Sequence, residues 1–461
     1  MTNLLKNYLI KMDDWSNEVI KNSSLGKIIS YVLNSINCFL GKDKPHPYIH
    51  STLLISIALL LGSLSLPQFA NDRFGIGIII LFCFAVFLSS IIFSNSYSVS
   101  FNSIDLFIAI FLFISLISVF SSYFLKESIV GFLKYFIFFL SYFVMKITVL
   151  NSSSKSFFNL WSLLLLCAVA VSIFGIYQFI IGVEPLATWE DSNYENIHTR
   201  VYSTLGNPNL LAGYLLLIFP IGIALPFHLK SSIVNKILFL TGSILILICL
   251  IFTGSRGGYI GLIVCGISAV IVLFNYLINR RGLINQTPAA IILCVTLIIF
   301  SLALIYLFPH VTERLLTIFT LREHSSNNYR VNVWLACFKM LKDNYLIGIG
   351  PGNNTFRLAY GLYMISGFDA LSAYNIFLET AIEVGVIGCF ALILIFSISF
   401  IKLHYLFWEN RNILALGFFI SLIGMITHGL VDTVFFRPQV YIPFWFLLAS
   451  IAKLEDRGRE N

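Results

Sequence analysis

The sequence predicts an all-α polytopic membrane protein with about 12 transmembrane helices and a large external loop domain between spans 9 and 10. Two observations carry that prediction. Of 461 residues, 58% are hydrophobic and 11% are charged, with a mean hydropathy of +0.88, whereas soluble domains run at roughly 45–50% apolar and about 25% charged. Apolar stretches also recur from Ser51 nearly to the C-terminus, each close to the ~20 residues that cross a hydrocarbon core of roughly 30 Å.

Residues 1–50 form a cytoplasmic N-terminal segment carrying Lys6, Lys11, Lys21, Lys27, Lys42 and Lys44. No compact apolar run ends there in a small-residue cleavage site, so no cleaved signal peptide is expected. Residues 26–40 are amphipathic and read as an interfacial helix. Residues 51–308 hold spans 1–9, near 51–67, 74–94, 103–123, 128–149, 157–182, 209–227, 236–252, 257–278 and 288–308. Residues 309–380 form the external (periplasmic) loop domain, and residues 381–453 hold spans 10–12, near 381–402, 412–431 and 439–453.

Lys and Arg set the orientation, because they accumulate in cytoplasmic connections. With the N-terminus inside, seventeen basic residues fall on the cytoplasmic side: the six N-terminal lysines with Lys146, Lys155, Lys230, Lys236, Arg280, Arg281, Lys402, Arg411, Lys453, Arg457 and Arg459. The opposite short connections hold five: Arg73, Lys126, Arg200, Arg256 and Arg437. Both termini are therefore expected in the cytoplasm, with the protein in the plasma membrane among membrane lipids. The net charge of +7 is a topology signal, and nucleic acid is not expected as a partner.

Two external connections are long, a length usually tied to function or disorder. Residues 183–208 carry Glu184, Glu190, Asp191 and Glu195. In the larger loop, residues 330–343 (RVNVWLACFKMLKD) place Val333, Trp334, Cys337, Phe338 and Leu341 at helical spacing, predicting an amphipathic cap on the outer membrane face. The eight cysteines include six inside apolar runs and no C-x-x-C, which excludes a zinc framework. Neither a phosphate-binding P-loop nor H-E-x-x-H is present. No cofactor or metal is expected.

Five segments carry the polar chemistry. RVYSTLGNPNLLAGY, from Arg200, sets Asn207 and Asn209 in a turn before an apolar span. It reads as a turn with a helix cap, or as an anion site at the helix N-terminus. TGSRGGY centres Arg256 between Gly254, Gly257 and Gly258, where arginine either snorkels to headgroups or binds an anion through its planar fork. IGIGPGNNTF spaces Gly348, Gly350 and Gly352 by two before Asn353, which is turn geometry or a concavity of backbone N–H groups for an anion.

AYNIFLETAIEVG sets Glu379 and Glu383 four apart, as solvated charges at a span's mouth or as proton carriers. HGLVDTVFFRP supplies His428, Asp432 and Arg437 at another span's end; His428, with Asp432, is a candidate proton carrier. The predicted orientation puts all five segments on the external face. The arginines would then line a cavity for an anionic substrate.

At EPLATWEDS from Glu184, RVYSTLGNPNLLAGY, TGSRGGYIGL, REHSSNNYRVNVW from Arg322, GIGPGNNTF and LSAYNIFLETAIEVGVIG from Leu371, the chain resembles the O-antigen ligase and polymerase superfamily. The resemblance covers about residues 183–440, an O-antigen ligase-like core. Within the superfamily the chain is most similar to the cyanobacterial inorganic-carbon-accumulation proteins, described as bicarbonate transporters. The resemblance implies essential external arginines and, in ligases, a histidine near the end of the large loop that activates the acceptor hydroxyl. Here Tyr374 takes that histidine's place, followed by Asn375. A phenol with a pKa of about 10 is a far poorer base than an imidazole near 6.5.

Three functions follow as expectations. The first is bicarbonate transport, with the anion captured at Arg200 and Arg256. The second is a ligase- or polymerase-type glycosyl transferase acting on a polyprenyl-diphosphate-linked glycan. The third is a non-catalytic accessory protein bound to a membrane partner.

Overall fold

The computed structural model describes residues 2–24, 26–27, 47–67, 75–94, 100–183, 200–228, 232–281 and 326–460. The span expected near 288–308, the acidic stretch from Glu184 to Glu195 and most of the amphipathic segment 26–40 lie outside the described residues. Every regular element described is helical. In chain order they are α1 (Thr2–Asn22), α2 (Pro47–Ser63), α3 (Gly75–Ser94), α4 (Ser103–Phe120), α5 (Leu125–Leu150), α6 (Ser154–Ile181), α7 (Pro208–His228), α8 (Ile233–Phe252) and α9 (Arg256–Arg281). They continue with α10 (Ser326–Asp343), α11 (Asn353–Tyr360), α12 (Ile376–Trp408), α13 (Ile413–Gly429) and α14 (Pro438–Glu460).

Six of these helices, α4 to α8 and α12, are long and apolar enough to cross a membrane, and α2, α3, α9 and α13 contain shorter apolar helices. The chain is a multi-pass membrane protein. Helix starts follow local chemistry. Asn102 and Asp105 form a reciprocal capping box at α4, and Ser153, Ser232 and Asn412 accept from the first-turn N–H groups of α6, α8 and α13. Helix α7 is apolar all round and 83% of its apolar window is buried, against 28% for α8. It is therefore the hub of the bundle, as expected of a helix with no polar face.

Helix α12 differs from the span expected at 381–402, beginning five residues earlier at Ile376 and breaking at Gly385 (φ 77°, ψ 171°). The residues before α11 fill the break. Val386 N–H donates to Tyr345 O (2.8 Å), while Ile349 and Gly350 N–H donate to Ile382 O (2.9 Å) and Glu383 O (3.0 Å). Backbone groups freed by an interruption need such partners in an apolar surrounding.

The cap consists of α10 and α11 around Val333, Ala336, Cys337, Met340, Phe356 and Tyr360. The buried stripe of α10 is rotated from the sequence expectation: Val333 and Cys337 point inward with Ala336 and Met340, whereas Phe338 is exposed. The inward face packs with Phe356 and Tyr360 of α11 and Ile382 of α12, partners that periodicity within one helix does not reveal.

At the opposite end of the bundle, α1 is docked, an element absent from the sequence expectations. Lys402 Nζ in α12 donates to Asp13 Oδ2 and Glu455 Oε1, both at 2.7 Å, with the lysine 0% exposed. Asp13 Oδ1 also accepts from Ser103 N (3.0 Å) and Oγ (2.7 Å). Nearby, buried Lys146 pairs with Asp105, which accepts from Tyr142 OH at 2.6 Å. Lys146 and Lys402, read from sequence as loop charges, are thus interior ion-pair partners.

Candidate functional site

The candidate site is assembled where α7, α9 and α12 begin. Gly206, at φ 68°, ends a short turn over Ser203–Leu205, and Asn207 follows it. Asn207 Oδ1 accepts from Asn209 N (2.8 Å) and Leu210 N (3.1 Å), so Asn207 caps α7, and Asn209 does not. A cap satisfies first-turn N–H groups two and three residues onward, which fits Asn207. This frees the Asn209 side chain for tertiary contacts: its Oδ1 accepts from Arg200 Nη2 (2.6 Å) and its Nδ2 donates to Asp432 Oδ2 (2.8 Å).

Arg200 Nε donates to Thr253 O at 3.0 Å. The guanidinium is therefore fixed across two loops. Gly254, at φ 59°, lies against that side chain, and a Cβ there would stand 3.3 Å from Arg200 Cγ. Ser255 Oγ accepts from Gly258 N (3.3 Å) and starts α9, so Arg256 occupies its first turn. Arg256 Nη1 donates to Asn327 Oδ1 on α10 at 3.1 Å, linking this arginine to the cap.

A third guanidinium joins from the cap. Arg330 Nη2 lies 3.7 Å from Asp432 Oδ2, and its Cζ lies 5.7 Å from the centroid of the Tyr374 ring, within reach of a cation–π contact. Sequence reasoning passed over Arg330 because it sits in an amphipathic helix, where a charge normally faces water. The available signal was its position between Tyr329 and the buried stripe that begins at Val333. Asp432, expected as a proton carrier, is the hub of the cluster: it also accepts from Thr433 N at 2.7 Å.

Tyr374 has φ 49°, a left-handed conformation uncommon for a bulky residue and associated with functional sites. Its ring meets Tyr329 edge-on at 6.0 Å. Burial, then the neighbouring Tyr329 and Asp432, push the Tyr374 phenol up from its ordinary value, and Arg330 opposes them only in part. The hydroxyl stays protonated at neutral pH. Asn375 caps α12 through Phe377 N and Leu378 N, both 3.0 Å, and donates to Leu430 O (2.9 Å).

The remaining candidates are placed differently. Glu379 and Glu383 are 4% and 2% exposed, not solvated at a span's mouth. Glu379 Oε2 accepts from Ala373 N (3.0 Å), and Glu383 Oε2 accepts from Tyr135 OH (2.6 Å). The N–H groups of Gly350 and Gly352 are spent on Glu383, its carbonyl oxygen and its carboxylate respectively, which leaves them committed inside the protein. Exposed Asn353 donates to Leu371 O. Arg437 is exposed and stands beside the cluster, its charge acting on Glu379. His428 is 1% exposed beneath the cluster, and neither ring nitrogen has a hydrogen-bond partner among the described residues.

Arg200, Arg256 and Arg330 thus come from a loop, the start of α9 and the cap, oriented by Asn209, Asn327 and Asp432. Three guanidiniums gather there, and the starts of α7 and α9 add the positive ends of their dipoles. Such an arrangement favours a multiply charged anion. Among the described residues no group of three or more His, Cys, Asp or Glu side chains could hold a metal ion.

Residues 241–393 match the O-antigen ligase family, which supports membership of the O-antigen ligase superfamily. The match contains Arg256, the cap with Arg330, Tyr374 and the break in α12 at Gly385; Arg200 precedes it, and His428 and Asp432 follow it. No curated protein matches the chain.

Proposed function

We propose that the protein binds a polyprenyl-diphosphate-linked glycan at Arg200, Arg256 and Arg330 and transfers the glycan to an acceptor hydroxyl, as an O-antigen ligase or polymerase does. The observation that carries this reading is the convergence of three guanidiniums, each already oriented by a neighbouring side chain. A diphosphate presents several oxygens and at least two negative charges, matching the planar donor forks of arginine. The family match supports the same chemistry. The bias of basic residues toward the opposite connections supports a site on the external face of the plasma membrane, with both termini cytoplasmic.

One observation favours bicarbonate transport instead: α12 is interrupted at Gly385 beside Glu379 and Glu383, and transporters build sites at interrupted helices. At this break, however, the Tyr345 to Gly350 segment takes up the backbone groups, so the interruption is closed by the protein itself. The transferase reading is the better supported.

Reconstitution with a polyprenyl-diphosphate glycan and a glycan acceptor tests it. Transfer is expected in the parent. Arg200→Gln or Arg256→Gln should weaken donor binding by about 10- to 100-fold, the equivalent of one charge-assisted hydrogen bond of ~1.5–3 kcal/mol. Labelled bicarbonate uptake above empty liposomes, with neither donor binding nor transfer, would reverse the assignment; absence of all three would favour an accessory role. Tyr374→Phe keeps the ring beneath Arg330 and removes only a protonated hydroxyl. Its transfer rate should stay within about fivefold, since a lost neutral hydrogen bond is worth only ~1 kcal/mol or less; a hundredfold loss would make Tyr374 catalytic.

A further inference from the structure

The transferase reading leaves one step unassigned, because the acceptor hydroxyl must give up a proton as it attacks. Two buried groups beside Asp432 have no hydrogen-bond partner among the described residues: the two ring nitrogens of His428 and Nε of Arg330. They belong to different elements, the end of α13 and the cap helix α10. Most buried polar atoms are paired, and each one left unpaired costs about 1–3 kcal/mol. A ring placed only for packing would be better apolar.

The surroundings make room for this imidazole. A Cβ on Gly257 would stand 2.5 Å from His428 Cδ2 and 3.0 Å from Nε2, and one on Gly213 would stand 3.4 Å from Nδ1. Gly257 directly follows Arg256, and Gly213 lies one turn after Asn209 in α7. The ring is thus seated between the helices that carry the anion-binding side chains. The charges of Asp432 and Arg330 both reach it. Arg330 meets Asp432 at 3.7 Å, a charge contact longer than a hydrogen bond, so an incoming hydroxyl can engage Arg330 Nε–H without breaking one.

We propose that His428 accepts the proton of the acceptor hydroxyl, with Arg330 Nε orienting the same oxygen and Asp432 stabilising the imidazolium. This assignment rests on the transferase reading. In the step, the hydroxyl oxygen bonds to the anomeric carbon while the bond from that carbon to the diphosphate oxygen breaks. The electron pair leaves with the polyprenyl diphosphate toward Arg200 and Arg256, and the proton passes to a His428 ring nitrogen. It is then returned to solvent.

The test compares the full-length parent with His428→Gln and His428→Asn, two amides of different length, measuring binding of a polyprenyl-diphosphate glycan separately from its transfer. In whichever variant melts like the parent, kcat should fall at least about 100-fold, the usual contribution of a positioned base, while donor Kd stays within threefold. A kcat within threefold of the parent overturns the assignment. So does a loss of donor binding as large as the loss of rate, which is the signature of a packing role. Failure of both amides to fold would likewise assign His428 to packing. If the parent transfers and the amides transfer equally, only His428 falls; if the parent neither binds nor transfers, the transferase reading falls and takes this step with it.

Discussion

Gly131→Ala disables the protein by separating α5 from the segment that fills the break in α12. A Cβ on Gly131 would stand 1.9 Å from Pro351 O and 2.6 Å from Gly352 Cα; reciprocally, one on Gly352, at φ 113°, would stand 2.7 Å from Gly131 Cα. The two segments meet backbone to backbone, and neither has a flexible side chain that could move aside. The loop is tied to Glu383 by Gly350 N–H (3.0 Å), and the Glu383 carbonyl also accepts from Ser118 Oγ (2.7 Å). Relieving the clash means breaking these bonds in an apolar surrounding.

The expected cost exceeds the ~1–3 kcal/mol of ordinary overpacking and lies in the range above about 4 kcal/mol that marks a specific structural failure. Folded yield and donor binding should both be lost. Gly62→Ala is the control, since nothing lies within 4 Å of its added Cβ, and alanine in a helix is favoured over glycine by about 1 kcal/mol. A Gly131→Ala protein that melts with the parent and keeps transfer activity would contradict the close approach.

Lys402→Met should release α1. The lysine is 0% exposed and is held by Asp13 and Glu455; its loss leaves two neighbouring carboxylates without a cation. Removing one partner of a buried ion pair costs about 3–5 kcal/mol, whereas replacing the whole set by neutral groups is often tolerated. Limited proteolysis should therefore cut within α1 of Lys402→Met far faster than in the parent. Adding Asp13→Asn and Glu455→Gln should restore most of the protection. Equal protection in the single variant would show that α1 is held elsewhere.

The same cluster sets an acid limit. Burial alone would raise Asp13, but the charge and hydrogen bond of Lys402, with the Ser103 bonds, hold it below the ordinary value of 3.8. A depressed carboxyl contributes stability that is present above the unfolded pKa and lost as pH falls through the folded one. Docking of α1 should therefore weaken below pH 3.8 in the parent and not follow that slope in Asp13→Asn.

What the sequence by itself determined was local. An apolar run of membrane length becomes a helix wherever it is placed, because every backbone polar group must be satisfied within the segment. The expected spans on described residues accordingly overlap helices, from Pro47–Ser63 to Pro438–Glu460, although only six of these helices are long and apolar enough to cross a membrane. Arg200, Arg256 and Asp432 stood out for a related reason, since a charge beside an apolar run needs a compensating role.

What only the tertiary structure decided was the partner of each polar group. The alternating glycines from Gly348 to Gly352 suit an anion cradle or a close backbone crossing equally well, until Gly131 and Glu383 are found against them. Asn209 resembles a cap until Asp432, 223 residues away in the chain, takes its amide. Lys402 counts as a loop charge until Asp13, 389 residues away, neutralises it. Hydrophobic periodicity is written within a few turns of chain. The satisfaction of a buried charge or amide depends on which distant segment packs against it, and so the composition of the site was legible before its connections were.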